Sequence, residues 1–321
     1  MALSRRPVAL VLRALGLGDL LTAVPALRGI RRALPTHHVV LAAPAALEPL
    51  ALSCGAVDEV LDTCGLRPLA GRCGRPDVAV DLHGKGPESH RLLLATRPGR
   101  LVAFGCVPAG VEGPAWREGE RETDRWCRLV REAMASPADP ADLGLPPPAG
   151  APPVRDAVVL HPGAAFASRR WPAERFAAVG RALAADGQHV VVTGTSSERP
   201  LAARVAALAG LPGESVLAGR TGILQLAALV AAARLVVCGD TGTAHLATAF
   251  GTPSVVLFGP VTPASWGPPR DRPQHLALAA EGVGGGDPWA GEPDPALLRL
   301  PADRVVAAAR QQLDRYDAGV R

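Results

Sequence analysis

The sequence predicts an α/β protein of two Rossmann-like domains facing a cleft, and three observations carry that prediction. Both halves alternate short apolar runs with helical patterns, which is how βαβ units around a parallel sheet read. The stretch Leu145-Pro-Pro-Pro-Ala-Gly-Ala-Pro-Pro153 holds five prolines in nine residues and divides the chain almost in half. Such a run makes neither a helix nor a central strand and acts as a semi-rigid linker. Finally, 321 residues, 48% of them hydrophobic, are enough material for two cores. The expected domains are 1–145 and 154–321, with a linker over 146–153.

The elements follow from pattern. In the first half, the continuous apolar run 8–12 reads as a buried strand and 20–34 as a helix, with further strands over 39–42 and 78–81. In the second half, 158–160 is a strand and 172–185 a helix with proline in its first turn. A strand over 189–193, helices over 200–209 and 224–233, and a strand over 235–238 come next. Helix 243–250 and strand 254–258 follow. The tail, 302–314, is a terminal helix with the option of packing back on the first domain. Residues 281–295 are rich in Gly, Pro and acidic side chains without periodicity and read as a loop.

Composition excludes several classes. Lys+Arg 34 against Asp+Glu 30 gives a net charge of +4, too mild for a dedicated nucleic-acid binder. Lys85 is the one lysine in that count; with the abundance of Ala, Gly and Pro this reads as compositional drift. The six cysteines form no C-x-x-C pair and no disulfide framework, which fits a reducing, cytoplasmic setting. Ser4-Arg5-Arg6 superficially fits a twin-arginine export signal, but Arg13 and Asp19 break the apolar stretch behind it and no small-residue cleavage site follows. No run approaches the ~18–20 apolar residues of a membrane helix.

Ligands of open α/β sheets sit at the carboxyl ends of the strands, so the residues after each strand carry the chemistry. After the first comes Arg13-Ala-Leu-Gly-Leu-Gly-Asp19. A dinucleotide fingerprint fails there, because its third glycine falls on Leu21. What remains is a glycine turn, Gly18 included, that presents Asp19 at a helix start facing the cleft. Asp19 is either a helix cap or a general base for a substrate hydroxyl. In Cys238-Gly-Asp-Thr-Gly-Thr-Ala-His245, a strand runs into a helix whose free N–H groups, with the Thr241 and Thr243 hydroxyls, make a ready anion site. Gly242 lets the backbone approach a ligand, and His245 either donates to a phosphate or sugar oxygen or is satisfied on its own helix.

A third element is His161-Pro-Gly-Ala-Ala-Phe-Ala-Ser-Arg-Arg-Trp-Pro172. Its strand end, the Gly163 turn and the adjacent Arg169 and Arg170 suit a diphosphate, since guanidinium offers fork-shaped charged donors; a solvated surface pair is the plain alternative. Glu198 is placed to accept from ribose hydroxyls or simply to favour a helix N-terminus. Walker A, H-E-x-x-H, G-x-S-x-G and Asp-x-Asp motifs do not occur. Dipoles and arginines are therefore expected to neutralise a diphosphate without a metal.

Taken in order, these residues resemble glycosyltransferase family 9, the ADP-heptose:lipopolysaccharide heptosyltransferases. The likeness runs through 217–229, then Gly239-Asp-Thr-Gly-Thr-Ala-His-Leu-Ala-Thr-Ala-Phe-Gly-Thr-Pro-Ser-Val-Val-Leu-Phe-Gly-Pro260 and Thr262-Pro-Ala-Ser-Trp-Gly-Pro268. Gly18-Asp19 with Pro25 matches the family's first segment, and His161-Pro-Gly163 with Arg170-Trp-Pro172 its middle one. The resemblance implies the GT-B fold and an inverting transfer that uses no metal or other cofactor. It assigns Asp19 the base role and places Asp240, Thr241, Gly242 and His245 on the donor motif. Arg169 or Arg170 falls where the family often has lysine, and Glu198 near a ribose position. On the acceptor side, Lys85 could meet an anionic acceptor or be a solvated loop residue.

The expected substrates are a nucleotide sugar, ADP-linked heptose favoured, and a hydroxyl of a cell-envelope glycan or glycolipid, with no nucleic acid as partner. The expected place is the cytoplasm, with peripheral contact at the inner face of the cell membrane as an option. Two other readings share the same features: a nucleotide-sugar epimerase of GT-B fold, and a catalytically silent nucleotide-sugar binding protein.

Overall fold

The computed structural model describes residues 6–69 and 71–319; Ser4 and Arg5 of the arginine pair lie outside them. The chain divides into two compact units, Met1–Leu145 and Pro146–Arg321.

The first unit runs β1 (Val8–Leu12), α1 (Leu17–Ala33), β2 (His38–Ala43), α2 (Glu48–Ser53), β3 (Glu59–Asp62), β4 (Val78–Asp81), α3 (Glu88–Leu94), β5 (Arg100–Val102) and α4 (Glu122–Met134). Its strands form one parallel sheet in the order β3-β2-β1-β4-β5. The run Val8–Leu12 is continuously apolar because it lies at the sheet centre, where helices cover both faces. Alpha-helical cover comes from α1 and α4, which pack so closely that a Cβ on Gly29 would stand 2.9 Å from Val130 Cγ1 of α4, and 2.8 Å from Ala138 Cβ in the segment after it. Phe104, Trp116 and Trp126 form an aromatic cluster beside them, with ring centroids 5.2–6.1 Å apart.

The second unit runs β6 (Val158–His161), α5 (Ala173–Ala185), β7 (Val190–Val192), α6 (Arg199–Ala209), α7 (Ile223–Ala231), β8 (Leu235–Gly239), α8 (Gly242–Phe250), β9 (Ser254–Phe258), α9 (Pro263–Trp266), β10 (His275–Ala279), α10 (Pro295–Leu298) and α11 (Ala302–Asp317). Its parallel sheet has the order β10-β9-β8-β6-β7. The first strand is central in the first unit and next to the β7 edge in the second; in each, the chain moves from it to one edge, then returns and builds the other side. That reversal is the switch point where such sheets open a crevice at the strand carboxyl ends. Trp171 packs edge-on against Phe176 and donates its indole N–H to Leu300 O at 3.1 Å. Val305, Ala309 and Leu313 of α11 are buried in this unit's own core, so the terminal helix has its place here.

Several elements were not foreseen. The strands β3, β5 and β10 are edges of three to five residues whose burial is partial. Helix α4 carries many charges, yet Trp126, Leu129 and Val130 recur at helical spacing on its buried side. Helix α1 starts at Leu17 rather than at residue 20, so Gly18 and Asp19 lie inside its first turn and not in a flexible loop ahead of it. All six cysteines are free. No helix among the described residues is long and apolar enough to cross a membrane.

Candidate active site

The second unit gathers the donor candidates at the carboxyl ends of β6, β7 and β8. At the end of β8, Gly239 has no side chain, and a Cβ there would stand 2.9 Å from Arg169 O. The turn Ala167–Arg169 can therefore lie against the strand, and Arg169 Nη1 reaches 3.4 Å from Asp240 Oδ2. The Asp240 side chain is 5% exposed and that of Arg169 25%. An ion pair this enclosed is screened little by water, so it fixes the guanidinium more firmly than a surface pair would. Arg169 Nε is buried with no hydrogen-bond partner among the described residues.

Thr241 is the extended residue ahead of α8, and Gly242 opens the helix. The hydroxyl of Thr241 does not cap the helix N–H groups, which leaves the first turn of a nine-residue helix open to an anion. Thr243 is buried within that turn. His245, one turn on, packs edge-on against Trp266 at 6.1 Å. Sequence reasoning gave Trp266 no role, although it sits in the quoted stretch 262–268.

Arg170 behaves differently from its neighbour. Its Nε and Nη2 both donate to Ala164 O, at 2.9 and 2.7 Å. It braces the turn after β6, so the expected pair of arginines splits into one residue beside Asp240 and one turn clamp.

Gly163 and Glu198 explain each other. The Glu198 Oε2 accepts from Thr195 N–H at 2.8 Å and from the Thr195 hydroxyl at 2.9 Å. A Cβ on Gly163 would fall 2.2 Å from Glu198 Oε1. Glycine is thus needed for the carboxylate to lie over the His161–Gly163 turn, not only for a ligand to approach. His161 Nδ1 lies 3.0 Å from Thr193 Oγ1, and burial pushes its pKa down against the opposing charge of Glu198. A neutral imidazole follows. The sequence pointed to Gly163 and Glu198 but missed Thr193 and Thr195, whose type alone carries no signal.

The loop 281–294 borders the same turn. Ser168 donates its hydroxyl to Pro288 O at 2.9 Å and its N–H to Ala290 O at 3.2 Å, and Asp294 N–H returns to Ser168 O at 3.2 Å. The residue before Arg169 is thereby stapled to the loop.

In the first unit, Asp19 sits at the third position of α1. Its Oδ2 accepts from Gly16 N–H at 3.1 Å, so it reaches back over the helix start rather than standing at the cap itself. Its Oδ1 lies 3.5 Å from Arg13 Nη2, and the side chain is 28% exposed. Arg13 is fully buried. It donates through Nε to Asp19 O at 3.0 Å, through Nη2 to Thr22 Oγ1 at 3.3 Å and Glu122 Oε1 at 2.9 Å, and through Nη1 to Leu82 O. Its guanidinium also lies over Trp126, 4.8 Å from the ring centroid. Burial works against the Glu122 carboxylate, but the Arg13 charge and the bonds from Arg13 and Trp126 outweigh it and hold its pKa low. His83, beside this group, has its pKa lowered by burial, against the charges of Asp81 and Asp19. Sequence reasoning gave no role to Arg13 or Glu122, because the pairing spans 109 residues.

The Lys85 ammonium pairs with Glu118 at 3.0 Å, and both side chains are well exposed. Asp81 is a turn former, its Oδ1 accepting from His83 N–H at 2.7 Å. Among the described residues no group of three or more His, Cys, Asp or Glu is placed to hold a metal ion.

Two parallel-sheet α/β units with these strand-end sites define the class of protein whose fold is GT-B. The solved E. coli ADP-heptose lipopolysaccharide heptosyltransferase II has that fold over 97% of this chain and 99% of its own, at TM-score 0.77 and 20% identity. E. coli heptosyltransferase WaaC with ADP matches over 97% and 99%, at TM-score 0.69 and 18% identity. In sequence, residues 127–282 match the model of glycosyltransferase family 9 (heptosyltransferase), the family that the motifs resemble. Lipopolysaccharide heptosyltransferase 2 of Salmonella typhimurium is 34% identical over 115 residues, 34% of this chain and 32% of that protein. Lipopolysaccharide heptosyltransferase 1 of Pseudomonas aeruginosa is 32% identical over 158 residues, 48% of this chain and 43% of its own length. The chain thus matches about a third to under half of the length of these curated relatives.

Proposed function

We propose that the protein is an inverting, metal-independent glycosyltransferase that moves a sugar, heptose from ADP-heptose favoured, onto a hydroxyl of a lipopolysaccharide-type envelope acceptor. The observation that carries the reading is Arg169 held by buried Asp240 beside the open N-terminus of α8. That arrangement holds a guanidinium in place beside a helix N-terminus, so donors for the negative charge of a leaving diphosphate are in position before the reaction. Thr241, Gly242, Thr243 and His245 line the same helix start, and Glu198 is offered to ribose hydroxyls by its Thr195 anchor. The names of the sequence relatives support heptose as the sugar.

In this reading Asp19 removes the proton from the acceptor hydroxyl. The oxygen attacks the anomeric carbon as the bond to the diphosphate breaks, and the configuration inverts. The diphosphate departs with the electron pair of that bond, against Arg169 and the helix N–H groups. The enzyme works in the cytoplasm, with peripheral contact at the membrane that carries its acceptor.

The test is turnover of ADP-heptose with a heptose-free lipopolysaccharide core acceptor in EDTA, reading ADP release and the anomeric configuration of the product. Transfer with inversion and a loss of about 10²–10⁴ in kcat for Asp19→Asn, the usual range for a general base, are expected. An Asp19→Asn enzyme at the wild-type rate would remove the base assignment, and metal-dependent turnover would remove the mechanism.

A further inference from the structure

We infer that Arg13 is a positioning residue for the Asp19 carboxylate, with Glu122 as the counter-charge that lets an arginine stay buried there; the inference rests on the proposed base role of Asp19. The carboxylate of Asp19 has one oxygen on Gly16 N–H and the other facing Arg13 Nη2. The same guanidinium takes the backbone carbonyl of Asp19 through Nε at 3.0 Å and, through Nη1, the carbonyl of Leu82, the residue after β4. Both the main chain and the side chain of Asp19 are therefore tied to the carboxyl edge of the sheet. A carboxylate in the first turn of a helix, 28% exposed, would otherwise exchange among rotamers.

A purely structural role accounts for less of this. Buried ion pairs are replaceable by apolar residues of similar shape at little cost in stability. The Arg13–Glu122 pair could have been such a pair alone, yet the guanidinium also spends donors on two atoms of Asp19 and on Thr22 Oγ1, which itself donates to Asp19 O at 3.0 Å. Glu122 is in turn fixed by Trp126 Nε1 at 2.7 Å and Arg125 Nη1 at 2.5 Å. The chain of contacts runs from α4 through Arg13 to the candidate base.

The experiment uses the full chain with ADP-heptose and the core acceptor. Arg13→Gln/Glu122→Gln removes both charges while keeping size and polarity; Arg13→Met/Glu122→Leu is the apolar counterpart, should the first fail to fold. Melting curves and calorimetric affinity for ADP report the fold and the donor site. The expected result is a kcat at least tenfold lower with ADP affinity within threefold of wild type, and rescue to within threefold of wild-type kcat by Arg13→Lys, which keeps the charge. In the Asp19→Asn background the same charge-free pair should change the residual rate by less than threefold. A folded charge-free variant at wild-type kcat overturns the inference, as does an equal loss in both backgrounds. If Asp19→Asn alone runs at the wild-type rate, the base reading falls and takes this inference with it; if Asp19→Asn is crippled and the charge-free pair is not, only the inference falls.

Discussion

Glu122→Ala should be among the most damaging single substitutions in the first unit. It removes the carboxylate that neutralises fully buried Arg13, leaving that charge with Asp19 Oδ1 at 3.5 Å as its nearest acidic partner. It also strips Trp126 Nε1 of its acceptor and Arg125 of its partner at 2.5 Å. Breaking a buried pair by deleting one member costs roughly 3–5 kcal/mol, because the remaining charge is uncompensated. The indole N–H adds to that, though not additively, as the groups share one network. A domain's whole stability is only about 5–15 kcal/mol. The assay is native-state hydrogen exchange on the full chain, reading amides of α1 and α4. At about 1.4 kcal/mol per decade, the slowest of these should exchange roughly a hundred- to several-thousand-fold faster. Arg13→Met/Glu122→Leu should recover most of the protection, since no charge is then stranded. Acceleration below tenfold in Glu122→Ala would show that Arg13 is not the enclosed, Glu122-dependent charge described above.

Three further outcomes follow from the same contacts. Burial tends to raise the Glu122 pKa and the Arg13 charge outweighs it, so the folded value lies below the ordinary glutamate range; its stabilisation is present above that range and lost as pH falls through the folded value. Urea midpoints between pH 3 and 7 should drop on the acid side, and Glu122→Gln should flatten that slope; an unchanged slope contradicts the assignment. Gly163→Ala should displace Glu198 from its Thr195 anchor, since the new Cβ would fall 2.2 Å from Oε1. Losing hydrogen bonds to a charged group costs about 1.5–3 kcal/mol each, so melting and nucleotide affinity should both fall, and wild-type affinity would count against a ribose role for Glu198. Burial pushes the Cys127 thiol up to about 12 and raises that of Cys238 still further, whereas Cys64 is exposed. Native alkylation at pH 8 should therefore label Cys64 and spare the other two, because the thiolate is the reacting form; equal labelling would refute the burial.

Much of the framework was legible because it rests on local signals. Short apolar runs such as Val8–Leu12 and Val255–Phe258 are what interior strands of a covered parallel sheet look like, and β1 and β9 have the boundaries read from sequence. The Gly239–His245 motif announced a strand running into a helix, and α8 begins at Gly242, one residue ahead of the expected 243. Of the four edge strands only β7 was legible, as the run 189–193; β3, β5 and β10 were not, and β5, three residues long, gains its geometry from Val78–Val80 alongside it. The same limit applied within the sites. Arg169 and Arg170 are indistinguishable by type and position; the absence of a side chain at Gly239 and the carbonyl of Ala164 separate them. Asp19 could be read either as a cap or as a base. Its contact with Arg13 is short in sequence, but the partner that makes Arg13 tolerable lies on α4, and no periodicity reports a pairing over 109 residues.

The most direct test of the account is calorimetric titration of the wild-type chain and of Arg169→Ala with ADP, UDP and GDP in the presence of EDTA. The expected result is metal-free binding with ADP preferred, and at least about tenfold weaker binding in Arg169→Ala, the worth of one charge-assisted contact of ~1.5–3 kcal/mol. Binding of none of the three diphosphates, or equal affinity in the Arg169→Ala protein, would contradict it.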